Sequence, residues 1–210
     1  MTTPQDATAL EKVAGSLTAQ TIATTITALA SGPLTAMLPI LTNALASQRQ
    51  KQRVEAYLLE VSHILESHEQ TLRDLSDAQY KLINEAILAS LQTTQAEKLA
   101  LLRNAVCHSL NMSDVDPQEA TLLSRIIRDI SVEEAMFVVQ NFSYDGVLIA
   151  EGPMGEKNVL PVPPKSRDAL LVSGLLSLGV LTSGQPTIGQ ILRFSGIVGK
   201  LIVLLRGYDA

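Results

Sequence analysis

The chain has 210 residues, 46% hydrophobic and 18% charged, with a net charge of −5 and one cysteine. That length and apolar content suffice for one sizeable core or two small ones, while the lone Cys107 excludes an intrachain disulfide and fits a reducing cytosol. Aromatic residues are only 3% with no Trp, which favours helix-on-helix packing over a β-sandwich.

Charge is unevenly spread. Residues 1–149 hold 10 basic and 17 acidic side chains, −7, whereas residues 150–210 hold 6 basic and 4 acidic, +2. An acidic first part argues against a whole-protein nucleic-acid binder and leaves only the mildly basic tail open to that reading. Residues 1–10 contain Asp6 and no Lys or Arg, so the positively charged start of a signal peptide is missing.

Between Lys12 and Arg49 there is no Asp, Glu, Lys, Arg or His. Residues 13–48 therefore need a cover: helices of the same chain, a partner or a membrane. Leu17, Ile22, Ile26 and Leu29 give a loose helical stripe, and Leu34, Leu38, Leu41 and Leu45 repeat at four, three and four residues, the spacing of a helix-packing seam. Gly32-Pro33 separates the two halves, and Pro39 kinks the second half or shifts its start. A membrane span wants about 20 predominantly apolar residues in a row. Neither half provides them, and the many threonines weaken insertion further, so a helical hairpin docked on protein is the primary expectation. Small residues such as Gly15, Ala19 and Ala23 suit close helix approach and keep a membrane-acting effector as an alternative.

Residues 49–74 read as one long charged helix, with Val54, Leu58, Val61, Leu65, His68, Leu72 and Leu75 in its seam. Ser76 with Gln79 has the form of a capping box ahead of Tyr80, Ile83, Ile87 and Leu91, and Thr94 with Glu97 repeats it ahead of Leu99, Leu102 and Val106. Asp116-Pro117 with Glu119 combines a cap, a first-turn proline and a carboxylate at the positive end of the helix dipole. Ser131 and Glu134 open a further helix. Seven Gly and Pro residues between Gly146 and Pro164 then predict a loop with one short extended piece near residues 147–150. Helix signals resume at Ser166 and stop at Gly179. Residues 180–182 and 190–194 form an expected hairpin, and Ser195 is the expected cap of a last helix. Helix, hairpin, helix is a winged-helix-like outline.

Candidate chemistry is sparse. Glu60 and His63 have the Glu-x-x-His spacing of di-iron bundles, but no second copy exists and His108 lacks the upstream acid, so His63 reads as a surface histidine. His68 reads as a partly buried packing residue. Cys107 and His108 are adjacent and point about 100° apart on a helix, which favours a buried structural thiol over a nucleophile and base. The Gly152 to Gly155 segment lacks the Lys-Ser/Thr ending of a phosphate loop. Arg49, Lys51 and Arg53 make a basic cluster beside the uncharged stretch, either a solvated helix start or a contact for anionic lipid or nucleic acid. The helix expected over residues 168–178 offers no Arg, Lys, Asn or Gln to base edges, so DNA binding would fall to Arg193, Lys200 and Arg206.

The run Lys98-Leu99-Ala100-Leu101-Leu102-Arg103-Asn104-Ala105, then Asp129-Ile130-Ser131-Val132-Glu133-Glu134-Ala135, then Leu175-Leu176-Ser177-Leu178-Gly179-Val180-Leu181 and Phe194-Ser195-Gly196-Ile197-Val198-Gly199, resembles the Abi-alpha family of bacterial abortive-infection-type proteins. The resemblance covers roughly the last half of the chain and carries no catalytic motif. It implies a cytosolic bacterial protein linked to phage defence, without an enzymatic mechanism.

The expected fold is thus mainly α. A multi-helix bundle over residues 1–142 includes the uncharged hairpin 13–48. A Pro/Gly-rich linker or loop follows over 143–167, then a small α+β, winged-helix-like module over 168–210. The expected function is non-enzymatic protein association, with Leu34, Leu38, Leu41, Leu45, Arg49, Lys51 and Arg53 as interaction residues. The alternatives are a winged-helix DNA-binding regulator and a membrane-acting effector. A protein partner or self-association is expected, and no cofactor, metal or small-molecule substrate. The expected location is the cytoplasm, with membrane association open through residues 13–48.

Overall fold

The computed structural model describes residues 48–151, 158–183 and 191–206. The leucine seam at Leu34, Leu38, Leu41 and Leu45 and the rest of the uncharged stretch before Gln48 lie outside the described residues, as do the side chains of Arg49 and Lys51. The described chain is mainly α, a helical bundle followed by a small module that contains a mixed four-stranded sheet.

Helix α1 spans Gln48–Ser67 and buries Val54, Tyr57, Leu58, Val61 and Leu65, the four-and-three spacing read from the sequence. The expected run to Asp74 breaks at His68. In an unbroken helix the His68 amide would bond the Ile64 carbonyl. Instead that amide goes to the Leu65 carbonyl at 3.1 Å, and His68 Nδ1–H donates to the Ile64 carbonyl at 2.8 Å. A one-turn helix, α2 (Glu69–Arg73), follows.

Helix α3 (Asp77–Gln92) starts at the expected capping box: Ser76 Oγ accepts from the Gln79 amide and the Gln79 side chain accepts from the Ser76 amide. Gln79 also ties helices together, its Nε2–H group donating to the carbonyls of Ser109 and Leu110 at 3.1 and 3.0 Å. Helix α4 (Ala96–Asn111) departs from expectation at its start. Gln95 occupies the cap without a side-chain bond, because the Thr93 hydroxyl accepts from the Gln95 amide and forms a local turn in place of a Thr94–Glu97 box.

Helix α5 (Pro117–Asp129) has the predicted start in full: Asp116 Oδ1 accepts from Gln118 and Glu119 at 2.7 and 2.9 Å, with Pro117 in the first turn. Helix α6 (Val132–Asn141) is opened by the Ser131–Glu134 box. Helix α3 packs against both α4 and α5, and α1 packs against α4. The shared core includes Leu58, Leu65, Leu82, Leu102, Leu110, Leu123, Ile126 and Ile127.

Residues 143–167 carry two strands where the sequence suggested mostly loop. Strand β1 is Gly146–Ile149 and β2 is Val159–Val162. They are followed by α7 (Arg167–Ser177), β3 (Leu181–Ser183), β4 (Ile191–Phe194) and α8 (Val198–Leu205), the expected helix, hairpin, helix. The sheet order is β2-β1-β4-β3, with β1 parallel to β2 and antiparallel to β4, and β4 antiparallel to β3. Val147 faces both Leu160 and Leu192 across the sheet, and Val147, Val162, Leu181 and Leu192 are buried on that face. Gly146 permits the β1–β4 approach, since an added Cβ would stand 2.7 Å from the Leu192 carbonyl oxygen.

Strand β2 escapes sequence reading because Pro161 is in it. The Asn158 and Val162 carbonyls accept from Asp145 and Ala150, which turns the main chain of the alternate residues, Val159 and Pro161, to the outer edge. A missing N–H there leaves the ladder intact and blunts the edge. At the other end, Gly179 has φ 74° just past α7, a left-handed C-terminal position that glycine adopts without strain. Ser195 does not cap α8. Its carbonyl accepts from Val198 in the preceding turn, and Ile197 is the cap residue.

Candidate functional site: the groove between α1 and α4

Arg53, Ala56, Tyr57, Glu60, His63, Ile64 and Ser67 recur every three or four residues on α1, and Ala96, Leu99, Ala100, Arg103, Asn104 and Cys107 do so on α4. Periodicity puts each set on one helical stripe, and packing of the helices turns the stripes toward each other. Arg103 and Glu60 join across the groove at 2.8 Å and divide it into clefts of about 230 and 470 Å³. Their side chains are 42% and 54% exposed, so this ion pair contributes at most about 1 kcal/mol.

The smaller cleft lies toward the start of α1. Its floor is Tyr57 and Leu99, its walls are the exposed alanines Ala56, Ala96 and Ala100, and Arg53, Glu60 and Arg103 stand at the rim. Arg53 donates to the Thr94 carbonyl at 2.7 Å. Of the predicted interaction residues with a described side chain, Arg53 thus serves to fasten α1 to the α3–α4 turn. Burial pushes the Tyr57 hydroxyl upward in pKa, and that buried hydroxyl has no hydrogen-bond partner among the described residues.

The larger cleft joins Glu60, His63, Ile64, Ser67 and His68 to Arg103, Asn104 and Cys107. Glu60 is taken by Arg103, and the exposed His63 faces Glu66 at 3.7 Å, so the Glu-x-x-His spacing is realised as two separate surface contacts. His68 is half-buried, as expected, with Nδ1 held by the Ile64 carbonyl. Cys107 is buried and its thiol is pushed up by desolvation, with Arg103 opposing. A raised thiol is a poor nucleophile. His108 Nε2 points elsewhere, donating to the Arg206 carbonyl at 3.2 Å. Among the described residues no group of three or more His, Cys, Asp or Glu side chains is placed to hold a metal.

Two further places carry charge or apolar surface. Lys98 is buried at the end of α5, its Nζ donating to the Ile127 carbonyl at 2.7 Å and to the Ile130 carbonyl. Desolvation lowers its pKa to about 8, with Asp129 and Glu134 opposing. Beside it Arg128 chelates Asp129 and reaches Glu85, and the Arg128 hydrogen bond holds the Asp129 carboxyl below the usual range. On the packed α6–α7 pair, Met136, Leu170 and Leu176 are 51%, 75% and 42% exposed.

Sequence reasoning missed the groove, because α1-to-α4 packing cannot be read from either helix alone. The available signal was the alanine at positions 56, 96 and 100 on otherwise charged helix faces. Of the three cations on which DNA binding would rest, Arg193 is exposed on β4. Lys200 is taken by Glu119 at 2.6 Å and Asp114 at 3.6 Å, and Arg206 lies 5.1 Å over the Phe142 ring. Among the described residues no helix is long and apolar enough to cross a membrane.

The fold and groove define a class, a helical bundle with a small mixed-sheet module and an α-helical surface groove. Comparison with protein families, with curated proteins and with solved structures gives no match.

Proposed function

We propose that this chain is a non-enzymatic interaction protein of bacterial phage defence, acting in the cytoplasm through helix-mediated association. The observation that carries the association is the set of exposed apolar side chains on the packed α6–α7 pair, above all Leu170 at 75% exposure, where an unpartnered helix would present a polar residue. The phage-defence setting rests on the resemblance of residues 98–105, 129–135, 175–181 and 194–199 to the Abi-alpha family. Two of the described groups able to do chemistry are bonded into the framework, Glu60 with Arg103 and Lys98 with two carbonyls.

Phage plating on cells with and without the gene tests the setting, and sedimentation of the purified chain tests the association. Protection is expected, and Leu170→Lys is expected to lose both protection and association while keeping its helical circular dichroism. Unchanged plating across a broad phage panel would remove the defence assignment. Association unaffected by Leu170→Lys would remove the α6–α7 face from it.

A further inference from the structure

We propose that Lys98 captures a small uncharged hydroxyaldehyde as a protonated imine, in the cleft where the end of α3, the start of α4 and the end of α5 meet. Three features of that cleft converge on this chemistry.

The first is how the amine is held. Lys98 is 7% exposed, and its Nζ donates to the Ile127 carbonyl at 2.7 Å and to the Ile130 carbonyl. Of the four tetrahedral positions on that nitrogen, the side chain itself takes one and the two carbonyls take two more. The fourth holds a proton when the group is charged and a lone pair when it is neutral. Lys98 also lines a cleft of about 300 Å³, at the small end of ligand pockets. Burial that lowers its pKa to about 8 leaves about a tenth of the group as free amine at pH 7, against about one part in three thousand for a lysine at 10.5.

The second is charge. Asp129, Glu134 and the two carbonyls favour a positive charge on Lys98. An amide at Nζ would be neutral and a carbamate negative, whereas a protonated imine keeps the positive charge and one N–H for a carbonyl. In the step, the nitrogen lone pair attacks the aldehyde carbon, a C–N bond forms, and the aldehyde oxygen leaves as water. The ammonium form and the aldehyde thus give the protonated imine and water, with no oxidant, no reductant and no net change in protons.

The third is the lining. Gln92, Thr93 and Gln95 bring carboxamide and hydroxyl groups to the cleft, which suit hydroxyls on the aldehyde. Arg128 is in the lining too, but it is bonded to Asp129 and Glu85, so a phosphate or carboxylate on the ligand would find its charge already balanced. Capture is stoichiometric and needs no turnover, so it stands apart from the association proposed for α6 and α7.

The test is reductive trapping on the full chain with glycolaldehyde and cyanoborohydride at about pH 7.5, read by peptide mass spectrometry at low total labelling. Lys98 is expected to be modified at least about fivefold faster than the exposed Lys81 and Lys165, and to lose that preference in urea. Lys98 labelled no faster than Lys81 and Lys165, or a preference that persists in urea, would overturn the proposal. Propionaldehyde, which lacks the hydroxyl, is expected to show little preference for Lys98, and an equal preference would overturn the hydroxyaldehyde assignment. Gln92→Leu and Gln95→Leu, both at exposed positions, are expected to slow labelling of Lys98 and leave Lys165 unchanged. Labelling of Lys98 unaltered in both variants would remove the cleft from the capture.

Discussion

Lys98 shows how one side chain can belong to the core and still be pH-sensitive. Its ammonium group closes the end of α5 by bonding two carbonyls that no helix amide reaches. Burial lowers its pKa to about 8 from an ordinary 10.5. Between those values the unfolded chain holds a proton that the folded chain has released, so stability rises with pH through that window, by up to about 1.4 kcal/mol per pH unit from this group. Tyr57, raised by burial, acts in the opposite direction only above about pH 10. In a Cys107→Ser background, where the raised thiol no longer opposes it, urea unfolding between about pH 8 and 9.5 should show a rising midpoint, and a flat one once Lys98→Met is added. A parallel rise in both proteins would show that Lys98 is not its source. Nothing in the sequence marks Lys98 as buried: it sits among Glu97, Leu99 and Ala100 at an ordinary helix start, and its partners are carbonyls 29 and 32 residues away.

Four helix starts were legible because their signals are local, whereas Thr94 and Ser195 were expected caps that did not form. Ser76, Asp116, Ser131 and Ser166 all cap helices as their sequence context predicts, because a cap and its amides lie within three residues. Asp116→Ala should cost about 1 kcal/mol in chemical denaturation, since Asp116 serves two amides of α5. An unaltered unfolding midpoint would show that water replaces the cap at no cost. Non-local effects were hidden. Pro161 reads as part of a loop until its position on the outer edge is known, and no local signal explains Gly174 inside α7. Its place is filled by Glu134: an added Cβ would fall 1.8 Å from Oε1, the carboxylate that completes the α6 capping box. Gly174→Ala should therefore destabilise the native chain, yet in a Glu134→Ala background it should stabilise by about 0.5–1 kcal/mol, the helix-propensity gain over glycine. Equal effects in the two backgrounds would separate Gly174 from the cap.

At the scale of the molecule, the sheet joins what composition suggested keeping apart. Strand β1, from the Gly/Pro-rich stretch, is paired on one side by β2 and on the other by β4. Helix α8 is tied to the bundle by Asn104 Nδ2 donating to the Leu205 carbonyl and by Lys200 reaching Glu119 at the start of α5. A fragment of residues 165–210 lacks β1 and the α4 surface on which α8 packs, so it should show little helix by circular dichroism when isolated. A folded fragment would make the segment autonomous and revive the winged-helix reading. The helix signals from Ser166 to Gly179, the hairpin at residues 180–182 and 190–194 and the apolar run after Ser195 carried the helix, hairpin, helix order. They could not give the β1–β4 pairing, which depends on a register between Val147 and Leu192 that neither strand carries alone.

The docking of α8 onto α4 also imposes a timetable on synthesis. The hydrogen-bonded partners across this contact are 98 and 101 residues apart in the chain. At roughly 5–20 residues per second, a ribosome that has finished α4 takes about 5–20 s to deliver α8. During that interval the helices from α1 to α6 can pack through nearby contacts, but the strip of α4 that will receive α8 remains bare. The nascent chain thus passes through a stage with an uncovered apolar strip, and a chaperone that binds such surface would meet it there.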